Sequence, residues 1–260
     1  MMTPALLRDI GLKPGEPCAI TGSGGKTTLL WHLAGLARQM GPVLVSVTAK
    51  MLPPRDGVCD QLIRDPKDYD PQLHKANTIQ LVAKGMDIRG KLLGIDETAM
   101  QRLTHPDIYF IMEADGSRGL PLKMWHDHEP PVHPGTGLTL GVIPIRALDH
   151  PVGRSNVYNW PAFSEFTGLE EGDAMTREAF AELVFDPLGL FKNSPGRKVL
   201  IINQADDDGL FQKANDLTSF LLTDPRSQNL AAIICLSLEE QSHENHSHYS
   251  CRRIIPTDEP

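Results

Sequence analysis

The sequence predicts an α/β protein built as a three-layer, mostly parallel, doubly wound sheet. Two observations carry this prediction. Short apolar stretches typical of buried strands, such as residues 43–47 and 198–202, alternate with stretches of helical periodicity along the chain. A glycine cluster at residues 22–25 separates the first such strand from the first long helix. Strands that alternate with helices favour parallel pairing, because the helix carries the chain back across the sheet.

The individual elements follow from local patterns. Strands are predicted at residues 17–21, 43–47, 78–83, 107–113, 138–143, 198–202 and 230–236, and helices at 26–40, 96–103, 176–185 and 210–222. Thr176 stands where a helix-capping hydroxyl is expected. Residues 1–238 are therefore predicted to form one domain, with a surface insertion at 52–75, where proline, aspartate and arginine are frequent.

The C-terminal segment, residues 239–260, is polar and rich in histidine, and we predict that it is disordered. His243, His246 and His248, together with Cys251, offer ligands for Zn²⁺ or Ni²⁺, but binding there would rest on composition alone. The four cysteines include no Cys-x-x-Cys pair, and Cys18 and Cys235 lie within apolar strand patterns. Buried thiols are therefore expected in preference to a redox or metal site.

Charge and hydropathy exclude several classes of partner. The formal net charge of −8 argues against a general nucleic-acid or membrane-surface binder, since such proteins present clustered lysine and arginine. No apolar stretch approaches the roughly 20 residues that cross a bilayer, and the N-terminal residues 1–14 lack the pattern of a signal peptide. We expect a cytoplasmic protein that binds neither nucleic acid nor membrane.

The segment from Thr21 to Thr28, Thr-Gly-Ser-Gly-Gly-Lys-Thr-Thr, predicts a phosphate-binding loop. Glycines let backbone N–H groups approach phosphate oxygens, and the following helix presents its N-terminus to the anion. Gly22, Ser23, Gly24, Gly25, Lys26, Thr27 and Thr28 are the expected nucleotide contacts. Lys26 is expected to bridge the terminal phosphates and the Thr27 hydroxyl to bind Mg²⁺, which makes the expected fold one of the P-loop NTPase type, with ATP or GTP and Mg²⁺ as its ligands. A glycine turn that merely precedes a helix is the alternative.

The loop departs from the commonest spacing of this motif. That pattern requires glycine where Ile20 stands, whereas the shorter form found here resembles the ATP loop of Mur-type amide ligases. The loop of ParA-type ATPases would require lysine where Thr21 stands.

Two carboxylates end the strand at residues 107–113. Glu113 and Asp115 lie two residues apart, so that their side chains can point to one side. Next to the phosphate loop, one carboxylate would hold Mg²⁺ and the other would orient a nucleophile, which makes Lys26, Glu113 and Asp115 the candidate catalytic residues and Thr27, Glu113 and Asp115 the candidate Mg²⁺ ligands. An Asp-Gly turn at which the strand meets solvent explains the same spacing equally well.

The connection that follows mixes cations, carboxylates and imidazoles. Its candidate contacts to a second substrate are Ser117, Arg118, Lys123, His128 and Glu129. Two histidines and two carboxylates at residues 126–129 are also compatible with a transition-metal site, although ligands at i and i+2 are weak support for one.

A candidate for base recognition follows the strand at 198–202. Asn203-Gln204-Ala205-Asp206 resembles the Asn-Lys-x-Asp signature of GTPases, in which the aspartate accepts from guanine, but Gln204 replaces the lysine. Asn203 and Asp206 are the expected base contacts. A strand-to-helix turn in which Asp206 caps the helix is the alternative.

Taken together, these motifs resemble the YqeC family. The residues that carry the resemblance are Gly22 to Thr27, Glu113 to Gly119, Pro121, Lys123, His128, Glu129, Pro130, Asp186 to Lys192 and Asn203 to Asp206. The resemblance implies an accessory protein for selenium-dependent molybdenum hydroxylases, acting in maturation of the enzyme or of its selenium cofactor. The partners it implies are an apo-hydroxylase or a cofactor intermediate.

Three functions are compatible with the sequence. The first is an NTP-binding, Mg²⁺-dependent NTPase that drives a maturation step. The second is a nucleotide-dependent switch or chaperone with little intrinsic turnover, in which Thr48 and Lys50 sense the γ-phosphate. The third is a small-molecule kinase or ATP-dependent ligase, which rests on loop analogy alone.

Overall fold

The structure, a computed structural model, describes residues 4–238 and 249–253 of the chain. The helices are α1 (Ala5–Ile10), α2 (Lys26–Ala37), α3 (Glu97–Leu103), α4 (Trp160–Thr167), α5 (Arg177–Phe185) and α6 (Asp208–Leu221). The strands are β1 (Cys18–Gly22), β2 (Val43–Val47), β3 (Gln61–Ile63), β4 (Ile79–Val82), β5 (Tyr109–Glu113), β6 (Leu122–Lys123), β7 (Leu138–Pro144), β8 (Val157–Tyr158), β9 (Arg197–Asn203), β10 (Ala232–Leu236) and β11 (Tyr249–Arg253).

Nine of these strands form one sheet in the order β11-β10-β9-β7-β1-β5-β2-β4-β3. Every pairing in it is parallel except that of β10 with β11. The short strands β6 and β8 pair with each other in a separate, parallel ribbon. The phosphate-loop strand β1 therefore lies at the centre, between β5 and β7, so the carboxyl ends of β5 and β7 meet the loop.

Helices cover both faces of the sheet, as the three-layer prediction requires. On one face α1 and α2 bury a core that runs across β1, β2, β5, β7, β9 and β10. On the other face α4, α5 and α6 cover the β7-β9-β10 half, and α3 covers the β2-β4-β5 half. Alternate residues of one strand enter different cores; for example, Ile111 faces α2 whereas Phe110 faces α3. The predicted α/β fold is thereby confirmed.

Each predicted strand and helix is present, with ends that differ by a few residues. Thr176 caps α5 as expected, because its side chain accepts a hydrogen bond from the Ala179 N–H. Apart from β11, the helices and strands that the sequence prediction omitted are short: α1, α4, β3, β6 and β8. Pairs and triplets of strand residues carry too little periodicity to be distinguished from a loop.

Two regions differ from their predictions. The expected insertion at 52–75 contains β3, which extends the sheet beside β4, so this segment is partly an edge of the domain. The prediction of a disordered C-terminal segment is wrong for residues 249–253, which form β11. Cys251 pairs with Ile234 there and packs against the core of the α2 face, an apolar contact that the average polarity of the segment conceals. His243, His246 and His248 lie outside the described residues.

Candidate functional site

The glycine cluster forms a tight turn from the end of β1 into α2. Gly22, Gly24 and Gly25 all have positive φ, at 98°, 75° and 118°, which residues with a side chain rarely adopt. A Cβ at Gly22 would collide with the Val142 carbonyl of β7, and one at Gly25 would collide with the Asn203 amide. The loop is thus held against its neighbours by close backbone contacts that only glycine permits.

Lys26 begins α2 and turns its side chain back over the loop. Its Nζ donates to the Gly22 carbonyl at 2.6 Å and lies 3.3 Å from Asp115 Oδ1. Only 4% of the side chain is exposed, so the ammonium is held in place within the protein. A lysine at the first turn of a helix that follows a glycine loop is positioned for a phosphate anion.

Asp115, just beyond β5, is the centre of a buried charge network. Its Oδ2 accepts from the Trp125 indole N–H at 2.7 Å and from the Gly22 N–H at 3.3 Å, and it lies 3.0 Å from Lys123 Nζ. The side chains of Asp115 and Lys123 are both fully buried. One carboxylate thus bridges the lysine of the phosphate loop and the lysine of β6, which fixes the position of both.

Glu113 ends β5 and contacts the residue after Lys26. The Thr27 hydroxyl donates to Glu113 Oε2 at 2.7 Å. Burial raises the pKa of Glu113 above its ordinary value, with a smaller contribution in the same direction from Asp115, while Lys26 and the Thr27 hydrogen bond act against it. A hydroxyl and a carboxylate side by side at a phosphate loop are oxygen ligands of the kind that Mg²⁺ prefers, so these residues fit the expected metal.

The remaining loop residues point in different directions. Ser23 is buried, and its hydroxyl donates to the Pro121 carbonyl at 2.7 Å, which ties the loop to the segment before β6. Thr28 is exposed and lines a cavity next to the loop. Thr48, after β2, donates to the Ala114 carbonyl at 3.1 Å, whereas Lys50 forms an exposed ion pair with Asp87.

The candidate contacts to a second substrate divide into buried and exposed groups. Lys123 is buried and donates to the Gly116 carbonyl at 2.8 Å, and Glu129 lies 3.5 Å from the same ammonium. Ser117 is buried as well. Arg118 and His128 are exposed. The Arg118 guanidinium stands 5.1 Å above the Tyr158 ring. Among these candidates, Arg118 and His128 are therefore the two that a second substrate could reach from solvent.

The His128 ring stacks on His126 at 5.9 Å between ring centroids. Among the described residues, however, no three histidine, cysteine, aspartate or glutamate side chains converge as a metal-binding group.

The Asn203-to-Asp206 turn lies beside the phosphate loop, at the carboxyl end of β9. Asn203 Nδ2 donates to the Gly24 carbonyl at 2.8 Å. Asp206 accepts from Arg146 and from the Ser237 hydroxyl. The cap of α6 is Asp207, whose side chain accepts from the Leu210 N–H, so the alternative in which Asp206 caps the helix is wrong.

The structure brings Lys26, Thr27, Glu113 and Asp115 together at one edge of the sheet, with Asn203 and Asp206 on the opposite side of the loop. Trp125, Arg146 and Ser237 belong to the same surroundings and were not predicted. Arg146 lies two residues beyond the last residue of β7, and a polar residue near the carboxyl end of a central strand is the sequence signal that would have pointed to it. Within the described chain, no helix is both long enough and apolar enough to cross a membrane.

Comparisons with known proteins agree with the motif pattern. The family model described as "YqeC protein" matches residues 18–161, which include the phosphate loop, the end of β5 and the Arg118-to-Glu129 segment. A protein of Escherichia coli strain K12, named "Uncharacterized protein YqeC", is 33% identical over 207 residues, which are 77% of this chain and 80% of that protein. No solved structure was found to match the chain. The chain belongs to the YqeC family.

Proposed function

We propose that the chain binds a nucleoside triphosphate with Mg²⁺ and hydrolyses it. The observation that carries this proposal is the contact between Thr27 and Glu113, formed where a glycine loop with a buried lysine enters α2. Lys26 Nζ contacts the Gly22 carbonyl and the Asp115 carboxylate, so its ammonium lies over the loop. A phosphate oxygen would take the place of the Gly22 carbonyl there, which supports the proposal. The Mur-like form of the loop remains a sequence resemblance.

Each residue has a distinct part in this proposal. Lys26 and the backbone N–H groups of residues 24–28 bind the phosphates and offset the charge that develops on them. The N–H groups of Gly22 and Ser23 are engaged by Asp115 and by the Val142 carbonyl. Thr27 and Glu113 would hold Mg²⁺, which supplies further positive charge when bound. Asp115, which is already paired with two lysines, is a positioning residue for Lys26.

Hydrolysis forms a bond from a water oxygen to the γ-phosphorus and breaks the bond to the bridging oxygen of the leaving diphosphate. The water must also lose a proton. An oxygen of the γ-phosphate accepts that proton, so the step requires no protein base, and Glu113 keeps its part beside Thr27 as a residue that would hold Mg²⁺.

The test is phosphate release by the purified chain with ATP or GTP and Mg²⁺. We expect Lys26→Ala to abolish turnover, because the substituted side chain carries the cation at the loop. Lys84→Ala is the matched control, since Lys84 is an exposed lysine paired with Asp96. This variant should release phosphate at the rate of the parent chain. Equal rates for Lys26→Ala and the parent chain would refute the proposal.

We further propose that this activity serves the maturation of a selenium-dependent molybdenum hydroxylase or its selenium cofactor, in the cytoplasm. Membership of the YqeC family supports this setting. The partner would be an apo-hydroxylase or a cofactor intermediate. The test is the selenium content of the hydroxylase from cells that carry the parent chain or Lys26→Ala. We expect less selenium with the variant, and equal contents would count against this setting.

A further inference from the structure

A cavity of about 650 Å³ lies at the amino ends of β7, β9 and β10, on the face of the sheet that α5 covers. The phosphate loop lies at the other end of the strands, beyond the carboxyl end of β1. The cavity is therefore separate from the proposed nucleotide site. Its volume is in the range of cavities that hold small molecules in proteins.

Apolar side chains form much of the wall of this cavity. Val184 and Phe185 come from the end of α5, Phe191 from the connection to β9, and Leu230 from the residues before β10. Val184, Phe191 and Leu230 also belong to the hydrophobic core of the α5 face, so the cavity reaches that core. Such a wall favours a ligand with an apolar body, because their contact removes apolar surface from water.

The connection between α5 and β9, which carries the Asp186-to-Lys192 motif, holds part of this wall in place. The Leu190 N–H donates to the Leu183 carbonyl at 2.7 Å, and the Leu190 carbonyl accepts from the Thr21 hydroxyl at 3.1 Å. Gly189 lies so close to the Leu183 carbonyl that a Cβ there would collide with it. The wall is therefore fixed by contacts within the chain, as expected for a preformed binding site.

Lys198, near the start of β9, adds a cation to the lining of the cavity. Side chains alternate along β9, so Val199 enters the core of the α2 face, whereas Leu200 enters the core of the α5 face. Lys198 shares the side of Leu200, which is the side of the cavity. It is partly buried, and its ammonium makes no hydrogen bond or ion pair with any residue of the described chain. A carboxylate is the natural partner of such an ammonium.

The other charged side chains of the lining already have partners. Arg226 pairs with Glu182 and with Asp224, each at 2.7 Å. Asp186 Oδ1 accepts from the Leu188 N–H at 2.8 Å, within the turn that follows α5. No ion pair joins Asp186 to Lys198 in the described structure, so the lysine is available to a ligand.

We infer that this cavity binds a small molecule with an apolar body and one carboxylate. The apolar wall contacts the body, and Lys198 pairs with the carboxylate. The inference does not depend on nucleotide binding, because the cavity and the phosphate loop lie at opposite ends of the strands.

The experiment is calorimetric titration of the full chain with octanoate and with octanol, which share the apolar chain and differ in the charged group. We expect one octanoate to bind per chain, at least about tenfold more tightly than octanol, since a charge-assisted hydrogen bond is worth about a factor of ten. In Lys198→Met, which keeps the apolar stem, octanoate should bind only as tightly as octanol. Lys91→Met removes an exposed lysine between β4 and α3 and should keep both parent affinities.

A second variant tests the position of the site. Asn229 is an exposed residue of the lining, and a tryptophan in its place would fill part of the cavity. We expect both probes to lose affinity in Asn229→Trp, with the fold of each variant checked by urea denaturation.

Equal affinities of the parent chain for octanoate and octanol would overturn the inference, as would the absence of octanoate binding. Affinity for octanoate at the parent level in Lys198→Met would also overturn it, because the carboxylate would then have a different partner. Binding of both probes at the parent level in Asn229→Trp would show that they bind outside the cavity, and the inference would fail. Phosphate release by the parent chain is measured separately, so none of these results decides whether the proposed NTP hydrolysis is correct.

Discussion

The ends of β5 and β9 both place polar side chains against the phosphate loop, but they bury them to different degrees. Beyond β5, the side chains of Asp115 and Lys123 are fully buried, and Lys26 is nearly so. Beyond β9, the Asp206 carboxylate is mostly covered, whereas 51% of its partner Arg146 is exposed. Water therefore screens the charge of Arg146 but not the charges of Lys26, Asp115 and Lys123.

This difference separates two kinds of requirement. At the end of β5 the charges are part of the folded structure, because removing one partner leaves another buried without compensation. At the end of β9 the Arg146 side of the ion pair is open to solvent, so Arg146 can change without loss of the fold. We therefore expect variants beyond β5 to affect stability more than variants of Arg146.

The largest expected effect is that of Lys123→Met. Methionine keeps the aliphatic bulk between Trp125 and Tyr158 but removes the charge that pairs with Asp115. We expect the free energy of unfolding to fall by about 3 kcal/mol, measured by urea denaturation. Arg146→Ala, from the β9 side, should cost less than about 1 kcal/mol. Similar decreases in the free energy of unfolding for the two variants would contradict the proposed difference between the two strand ends.

A smaller effect concerns the pH dependence of stability in the absence of metal and nucleotide. Burial raises the folded-state pKa of Glu113 above its ordinary value of 4.5. As the pH rises through 4.5, the unfolded chain releases this proton first, so the folded chain loses stability until the pH passes the raised pKa. Glu113→Gln does not titrate. We therefore expect the stability of the parent, relative to this variant, to decline as the pH rises above 4.5.

Glu178→Gln is the control for this measurement. Hydrogen bonds from its own backbone N–H and from Arg177 lower the pKa of Glu178, so the sign is reversed. The parent should gain stability relative to that variant as the pH rises from acid conditions and lose it as the pH falls through the lowered pKa. Urea denaturation across this pH range gives both slopes. Slopes of the same sign for the two carboxyl groups would show that burial does not govern the pKa of Glu113.

Much of the architecture was predictable because it depends on local patterns. The order of strands and helices follows from apolar periodicity, and the phosphate loop follows from glycines that no other residue can replace at φ values such as the 118° of Gly25. The neighbouring positions of Glu113 and Thr27 follow from parallel strands that end at the same edge. The first two features depend on residues that are close in the sequence, whereas the third depends on the parallel pairing that alternating strands and helices favour.

The contacts of the predicted residues were harder to predict from the sequence, because tertiary packing determines which side chains meet. In the sequence, Trp125 and Lys123 are two residues of a connection that mixes charges. Only in the folded chain does Trp125 donate a hydrogen bond to Asp115 and Lys123 form an ion pair with it. Arg146 and Ser237 come from two different strand ends and meet at Asp206. No spacing within a single segment encodes such a meeting, since it depends on the strand order β10-β9-β7.

The antiparallel strand β11 has a consequence for self-association. It pairs along the whole of β10, residue for residue from Ala232 to Leu236, and so supplies partners for the backbone groups on that side of an apolar strand. A chain shortened to end before Tyr249 would present β10 as an open edge, which is the kind of surface that recruits a strand from another molecule. In the described structure β11 takes the place of the apolar β10 as the edge strand of the sheet.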